Sequence, residues 1–203
     1  AFFVIIIFMN GETFVFFGLV GSGKGTQIKL LIDILKAKDE RDVVYAYPGK
    51  EYRALVEGVS YAGSLIKDSL ARGELQPNAI TNAIFGHQLM IELKEDSHMI
   101  ADGYPRTLNQ AENFEALLRF FKRDGVKIVY ITLSEAEAMK RNLLRGRADD
   151  TEEGLKRRFH EYTTNVVPAM DYFKGKPGYE IFEINGEQSV EDVHKDILKA
   201  LNL

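Results

Sequence analysis

The sequence contains no cysteine among its 203 residues. That absence excludes disulfide scaffolds, thiol catalysis and zinc sites built from thiolates, and it fits a reducing compartment. The chain also lacks an excess of positive charge, because 26 Lys and Arg residues face 30 Asp and Glu residues, for a net charge of −4. No overall positive field is present to hold nucleic acid. We therefore expect a cytoplasmic protein with no nucleic-acid partner.

Long hydrophobic runs are lacking as well. The most apolar stretch is AFFVIIIFM at residues 1–9, and polar residues follow it directly. Nine residues are too few to cross a bilayer. A secretory signal begins with positive charge, whereas the first basic residue here is Lys24. The sequence therefore predicts no membrane partner.

The apolar start of the chain fits a hairpin instead. Asn10 and Gly11 form the favoured two-residue turn between two strand-length runs, residues 2–9 and 12–17. This pattern predicts an extra N-terminal strand that pairs with the first strand of the fold. A disordered or partner-bound extension is the alternative.

Composition and length indicate one globular domain. Hydrophobic residues make up 45% and charged residues 28% of the chain, which excludes a disordered or low-complexity protein. A domain typically has about 150 residues. No linker rich in Pro, Gly or Ser, no internal repeat and no long charge block divides the sequence, so we expect residues 1–203 to form a single domain.

Strand-length apolar runs alternate with helical patterns along the rest of the chain. The predicted strands are residues 12–17, 43–46, 98–101, 127–133 and 179–184. The predicted helices are residues 24–38, 50–57, 61–72, 77–95, 107–123, 134–145, 152–173 and 189–201. This alternation indicates crossover connections and a parallel sheet covered on both faces. We therefore expect a three-layer α/β fold with a five-stranded parallel sheet flanked by helices.

A glycine-rich loop joins the first of these strands to the first helix. It reads Gly18-Leu19-Val20-Gly21-Ser22-Gly23-Lys24-Gly25-Thr26 and contains the spacing G-x-x-x-x-G-K. Strand, loop and helix in this order are the context of a phosphate-binding loop, whose backbone N–H groups surround a phosphate at the helix N-terminus. Lys24 supplies a positive charge to the β- and γ-phosphates. The sequence therefore predicts the P-loop NTPase version of the α/β fold.

A second motif follows the third predicted strand. It reads Asp102-Gly103-Tyr104-Pro105-Arg106-Thr107, with Gln110 close behind. Together with Gly21-Ser22-Gly23-Lys24-Gly25-Thr26-Gln27, this motif resembles the nucleoside monophosphate kinases, and the adenylate kinases most closely. The resemblance covers about residues 12–201. It implies reversible phosphoryl transfer from MgATP to AMP, which gives two molecules of ADP.

The resemblance also implies overlapping sets of site residues. The set for ATP is Gly21, Ser22, Gly23, Lys24, Gly25, Thr26, Arg141 and Arg145. The set for AMP is Gly49, Arg53, Gly103, Arg106, Gln110, Arg147 and Arg158. The catalytic residues among them are Lys24, Arg106, Arg145, Arg147 and Arg158. Asp102 is expected to hold Mg²⁺ through water, since Mg²⁺ keeps several waters and few protein ligands.

Arginine chemistry agrees with this assignment, because a guanidinium binds phosphate in bidentate fashion and stays ionised. Arg141 and Arg145 are four residues apart on a predicted helix, so both project from one face. Like charges at that spacing repel by a few tenths of a kcal/mol, a cost that a bound anion reverses. A solvated basic face is the structural alternative.

Two further assignments have structural alternatives. The resemblance puts Gln110 against the base of the acceptor, but Thr107-Leu108-Asn109-Gln110 is also a capping-box pattern. Asp149 and Asp150 precede a predicted helix and could cap it or neutralise its dipole. By resemblance they instead hold the lid arginines.

The resemblance divides the single domain into parts, and we expect one chain to carry the whole site as a monomer. The core comprises residues 12–46, 98–145 and 159–203, the acceptor-binding helical insert residues 47–97, and the short lid residues 146–158. The lid carries no long insert and no zinc-binding cysteines, so its closure involves a loop and helix ends.

Two positions depart from the usual adenylate kinase pattern. Val20 lies where many members have Pro, and Pro48 replaces the Thr that normally contacts the acceptor. The Pro48-Gly49 pair resembles thymidylate kinases, so a thymidylate or UMP/CMP kinase is an alternative. A non-catalytic nucleotide-binding regulator is a further alternative, although it would be expected to lose acceptor or lid arginines that are present here.

Overall fold

The computed structural model describes residues 11–146 and 150–203, and its strands form one parallel sheet. The strands are β1 (Thr13–Phe17), β2 (Val43–Ala46), β3 (His98–Asp102), β4 (Val126–Thr132) and β5 (Tyr179–Asn185). Their order in the sheet is β2-β3-β1-β4-β5, and every pair of neighbours is parallel. The predicted five-stranded parallel sheet is confirmed.

Helices connect the strands in the described part of the chain. They are α1 (Lys24–Lys38), α2 (Pro48–Glu57), α3 (Tyr61–Ala71), α4 (Asn78–Glu92), α5 (Leu108–Phe120), α6 (Glu135–Arg145), α7 (Glu152–Glu161), α8 (Val167–Asp171) and α9 (Val190–Leu201). Three of them, α2 to α4, lie between β2 and β3. None of the described helices is both long enough and apolar enough to cross a membrane.

β1 lies at the centre of the sheet. Its residues pair with β3 on one side, where Thr13 aligns with Met99, and with β4 on the other, where Thr13 aligns with Val126. Both edges of β1 are therefore occupied, and the prediction that residues 12–17 pair in a hairpin is wrong. The other half of that predicted hairpin, residues 2–9, lies outside the described residues.

Side chains of β1 alternate between two hydrophobic cores, because successive residues of a strand point to opposite faces. Val15 and Phe17 pack with α4, α5 and α8 on one face. Phe14 and Phe16 pack with α1 and α9 on the other. All five residues of β1 are buried, which is expected for the central strand of a three-layer fold.

The long predicted helix at residues 152–173 is interrupted. A π-helical turn, Tyr162–Val166, separates α7 from α8, and within it the backbone N–H of Val167 donates to the carbonyl of Tyr162. Pro168 follows directly and has no backbone N–H for the carbonyl four residues earlier. The wider turn accommodates this missing donor, which the apolar periodicity of the sequence did not reveal.

Several helices begin directly after a Ser or Thr whose side chain caps the first turn. The hydroxyls of Ser60, Ser134, Thr151 and Ser189 each accept a hydrogen bond from the backbone N–H three residues later. α2 begins at Pro48, two residues before its predicted start, because proline suits the first helical position.

Candidate active site

The phosphate loop and the second motif are neighbours because β1 and β3 are adjacent and parallel. Phe16, near the end of β1, aligns with Asp102 at the end of β3. The segments that follow, Gly18 to Lys24 and Gly103 to Arg106, therefore leave the same edge of the sheet side by side. Ligands of open α/β folds bind at this edge, outside the carboxyl ends of the strands.

The loop requires glycine at two positions for different reasons. Gly18 has φ +149°, and a Cβ there would lie 2.6 Å from the carbonyl oxygen of Ile131. Gly21 has φ +89°, and a Cβ there would collide with the side-chain amide of Asn142. The loop thus packs directly against β4 and α6. α1 begins at Lys24, so the N-terminal backbone of this helix faces the loop.

Lys24 extends along the loop. Its Nζ donates to the carbonyl oxygens of Gly18 at 2.6 Å and Leu19 at 3.0 Å. Burial lowers the pKa of Lys24 to about 8, and although Asp102 opposes this effect, the positive charges of Arg106 and Arg145 add to it. Two further cationic side chains and one carboxylate therefore act electrostatically on the Lys24 ammonium.

Asp102 is buried at the end of β3, where the hydroxyl of Tyr45 donates to its Oδ2 at 2.7 Å. Burial, and then the Asp102 carboxylate, raise the pKa of Tyr45, so the tyrosine stays a neutral donor. No group of three or more candidate metal ligands occurs in residues 11–146 and 150–203. One carboxylate beside a phosphate loop nevertheless suits Mg²⁺, which is bound by one or two carboxylates together with substrate phosphates.

Arg106 leaves the second motif beside Gly103. Its Nε donates to the carbonyl of Gly103 at 2.8 Å, and Gly103 has φ +66°. A Cβ at Gly103 would lie 2.7 Å from Nη2 of Arg106. Glycine therefore makes room for a guanidinium that folds back over the turn, and the rest of Arg106 is exposed.

Gln110 is buried at the start of α5. Its Oε1 accepts from the backbone N–H of Arg106 at 2.8 Å, and its Nε2 donates to Asn78 at 3.0 Å. Its own backbone N–H donates to the hydroxyl of Thr107. The Thr107 half of the predicted capping box is therefore present, whereas the Gln110 side chain binds the N–H one residue before the cap, and contact with the acceptor base stays a prediction.

Arg53 projects from α2 and lies against Tyr47. Its guanidinium is 5.0 Å from the centre of the Tyr47 ring, and its Nη1 donates to the Tyr47 hydroxyl at 3.1 Å. A Cβ at Gly49 would lie 2.6 Å from the same ring. Tyr47 in turn stacks on Tyr45 with 5.8 Å between ring centres. An aromatic pair therefore connects Arg53 with the Asp102 side of the site.

Arg145, at the end of α6, is held by a buried carboxylate. Its Nε and Nη2 donate to Asp150 at 2.9–3.0 Å, and the Asp150 side chain is 0% exposed. Nη1 of Arg158 donates to the same carboxylate at 3.4 Å. Thr151 caps α7, so Asp150 holds arginines while its neighbour caps the helix.

Arg141 has a partner that the sequence analysis overlooked. Its Nε donates to Glu137 one helical turn earlier at 2.8 Å, and the same carboxylate lies 3.6 Å from Nζ of Lys140. The positive charge of Lys140 and Arg141 is therefore partly neutralised within α6, and Arg141 and Arg145 have separate carboxylates. Two predicted residues of this region, Arg147 and Asp149, lie outside the described residues.

Three residues that contact the predicted site were missed by the sequence reasoning: Tyr45, Tyr47 and Asn142. Asn142 could have been found, since it lies four residues after the buried Ala138 and so occupies an apolar position of α6. A polar residue on the buried stripe of a helix signals a specific partner. Tyr45 and Tyr47 carry no such signal, because aromatic residues are ordinary in and after a strand.

The chain is similar to adenylate kinases of several bacteria. The family model described as adenylate kinase matches residues 16–177. An adenylate kinase of Bacteroides fragilis is 31% identical over 192 residues, which cover 93% of this chain and 97% of that protein. One of Leptospira biflexa is 31% identical over 191 residues, covering 92% and 98%. One of Thermosipho africanus is 29% identical over 220 residues, also covering 92% and 98%.

Proposed function

This chain belongs to the adenylate kinase family, and we propose that Lys24, Arg106 and Arg145 carry the reaction of that family in it. The reaction is the reversible transfer of a phosphoryl group from MgATP to AMP, which gives two molecules of ADP. The chain is accordingly a nucleoside monophosphate kinase, a phosphotransferase. A UMP/CMP or thymidylate kinase is not favoured by the family matches.

The observation that carries this proposal is that the loop with Lys24 bonded along it and the motif with Asp102 and Arg106 leave the same edge of the sheet, and the charges of this region act on Lys24. Arg106 comes from the second motif and Arg145 from the end of α6, and both lower the pKa of Lys24. Cations that repel one another in this way stabilise a polyanion placed between them. Two nucleotides that exchange a phosphoryl group form such a polyanion, with charge spread over the transferred oxygens.

The site residues divide between two nucleotides in our proposal. ATP is bound by Gly21, Ser22, Gly23, Lys24, Gly25, Thr26, Arg141 and Arg145. AMP is bound by Gly49, Arg53, Gly103, Arg106, Gln110, Arg147 and Arg158. Asp102 supports Mg²⁺ through water, and its Oδ2 is already oriented by the hydroxyl of Tyr45.

The protein contributes little covalent chemistry to phosphoryl transfer. Its residues instead position the two nucleotides and stabilise the charge of the transition state. The loop backbone and Lys24 hold the donor phosphates, while Arg53 and Arg106 hold the acceptor phosphate in line. Arg145 neutralises charge that develops on the transferred group. Bound Mg²⁺ adds further neutralisation of the phosphate oxygens. Exclusion of water prevents hydrolysis of the donor.

The parts of the domain follow from this division. We infer that residues 47–97 form the acceptor-binding insert and residues 146–158 the lid, with the remaining residues 12–46, 98–145 and 159–203 as the core. One contact supports their cooperation, since Nε of Arg157 on α7 donates to the carbonyl of Arg72 at the end of α3 at 2.8 Å. This contact joins the proposed insert to the proposed lid.

The proposal also includes the oligomeric state and the cellular location of the protein. We propose that a monomer suffices for the reaction, because the motifs expected for both nucleotides occur in this one sequence. A sequence free of cysteine fits a reducing compartment, which supports the cytoplasm.

A phosphorylation panel tests the proposed function. The chain is given MgATP and, in turn, AMP, CMP, UMP, GMP or dTMP, and the products are separated by chromatography. We expect AMP to be phosphorylated fastest and ADP to be the product of both nucleotides. If UMP or dTMP exceeds AMP, the acceptor assignment is wrong. If no acceptor is phosphorylated while ATP still binds, the non-catalytic regulator replaces the kinase.

Binding of ATP is expected to take up a proton above pH 8. With a pKa of about 8, Lys24 is about three quarters deprotonated at pH 8.5, and a polyphosphate beside it raises that pKa. The bound complex then holds a proton that the unbound protein lacks, while the ATP phosphates are already deprotonated at this pH. Calorimetric titration in two buffers of different ionisation enthalpy measures the uptake.

The matched control for this titration is Lys24→Arg. A guanidinium stays ionised throughout this pH range, so its binding should take up no proton. At pH 6.5 the wild-type protein should also show no uptake by this group, because Lys24 is already charged there. Equal uptake by wild type and Lys24→Arg at pH 8.5 would show that another group takes up the proton.

A further inference from the structure

We propose that Asn142 is a positioning residue that ties the phosphate loop to Arg145 and so aims the guanidinium at the transferred phosphoryl group. This inference rests on the proposed roles of the loop and of Arg145. Asn142 lies in the middle of α6 and is 0% exposed. It was not among the residues expected from the resemblance.

The amide of Asn142 makes three short hydrogen bonds. Its Nδ2 donates to the carbonyl of Val20 at 2.9 Å and to the carbonyl of Ala138 at 2.6 Å. Its Oδ1 accepts from Nη2 of Arg145 at 2.6 Å. The reverse orientation of the amide would set an oxygen against two carbonyls and an NH₂ group against a guanidinium. The three partners therefore determine which way the amide points.

The backbone of the phosphate loop approaches the Asn142 side chain closely. Val20 lies between Gly18 and Gly21, and a Cβ at Gly21 would collide with Nδ2 of Asn142. Glycine at position 21 thus lets the loop backbone approach the amide. A displacement of the loop is transmitted to Asn142 without an intervening side chain.

Asn142 and Asp150 both accept hydrogen bonds from the Arg145 guanidinium. The carboxylate of Asp150 binds Nε and Nη2 of Arg145 from the lid side, whereas Asn142 binds Nη2 from the side of the loop. No described residue accepts a hydrogen bond from Nη1 of Arg145, so these two supports leave that donor for an anion. A guanidinium held at two places loses little freedom when it binds phosphate.

A purely structural role would be simpler. An asparagine within a helix can bond the carbonyl four residues earlier, as Asn142 does with Ala138. That role accounts for one of the three hydrogen bonds and predicts a loss of stability alone. The contacts with Val20 and Arg145 instead join two elements that we place in catalysis, so the positioning role predicts a loss of turnover that depends on Arg145.

The experiment is a double-mutant cycle with Asn142→Leu and Arg145→Ala. In the wild-type background, Asn142→Leu should lower kcat about 10- to 100-fold, as expected for a misplaced catalytic group. The KM values for ATP and AMP should change much less, because the arginine is needed most in the transition state. In the Arg145→Ala background, the same substitution should change kcat by less than about twofold, because the guanidinium that Asn142 positions is absent.

Two controls complete the design. Asn142→Ala removes the same three hydrogen bonds without adding volume, and it replaces Asn142→Leu in the cycle if the leucine variant does not fold. Asn165→Leu removes another helical asparagine, whose amide donates to Glu161 one turn earlier, and kcat should stay within about twofold of wild type.

The outcomes separate the two hypotheses. An equal loss of kcat with and without Arg145, or an unchanged kcat in a folded Asn142 variant, overturns the positioning role while wild-type turnover leaves the kinase assignment intact. Absence of turnover in the wild type itself overturns both.

Discussion

Replacement of Lys24 by alanine is expected to lower turnover by at least about 10²- to 10³-fold. The ammonium is the one charge that lies within the phosphate loop, where its Nζ reaches the carbonyls of Gly18 and Leu19. Without it the backbone N–H groups still bind phosphate, but the charge that develops on the transferred group loses its nearest counter-charge. A coupled assay of ADP formation from MgATP and AMP measures the loss.

Lys29→Ala is the matched control for this substitution. Lys29 lies on the same helix, α1, and its side chain is exposed to solvent. Its removal changes the net charge by the same amount, so turnover should stay within about twofold of wild type. Near-wild-type turnover in a folded Lys24→Ala protein would contradict the assignment of the phosphate loop.

Replacement of Arg123 by methionine is expected to cost about 3–5 kcal/mol of the free energy of unfolding. Arg123 follows α5, is 4% exposed and lies at the amino end of the sheet. Its Nη1 donates to the carbonyls of Gly11 and Ser97 at 2.9 and 2.7 Å, and its Nη2 to that of Lys94 at 2.7 Å. Methionine has a similar length but leaves the two buried carbonyls of Gly11 and Ser97, and the partly buried one of Lys94, without their donor.

Thermal unfolding followed by circular dichroism measures this effect. For a chain of this size, a loss of that magnitude lowers the melting temperature by roughly 10 °C. Arg119→Met is the control, since the Arg119 side chain is 78% exposed and its nearest carboxylate, Glu115, is 4.0 Å away. That variant should lose less than about 1 kcal/mol. An Arg123→Met protein that melts like Arg119→Met would show that the three carbonyls find other partners.

Local chemistry made much of this fold predictable. The loop from Gly18 to Lys24, the capping hydroxyls and the alternation of strands with helices all act between residues close in sequence. The five strands and the positions of most helices were accordingly predicted within a few residues. The family resemblance depended on two continuous motifs, which is why it could be recognised before the chain was folded.

The errors had both distant and local causes. The sequence predicts that β1 pairs with residues 2–9 in a hairpin, yet β3 and β4 occupy both of its edges. Arg141 was expected to repel Arg145 on one face of the helix, yet Glu137, one helical turn earlier, binds it. The sequence predicts a continuous helix at 152–173, yet a π-helical turn just before Pro168 divides it.

Residue type and short spacing were enough to predict the class of fold, the glycine-rich loop and the arginines that we propose for the reaction. The groups that orient these side chains became visible only in the folded chain. Tyr45 reaches Asp102 across 57 residues, and Asn142 reaches Val20 across 122. Such contacts are made when parallel strands bring their carboxyl ends to one edge and α6 packs against the loop. Helical periodicity marks Asn142 as buried, but it does not name the partner of Asn142 or of Tyr45, since the energy of these contacts comes from the burial and pairing of polar groups after the chain has packed.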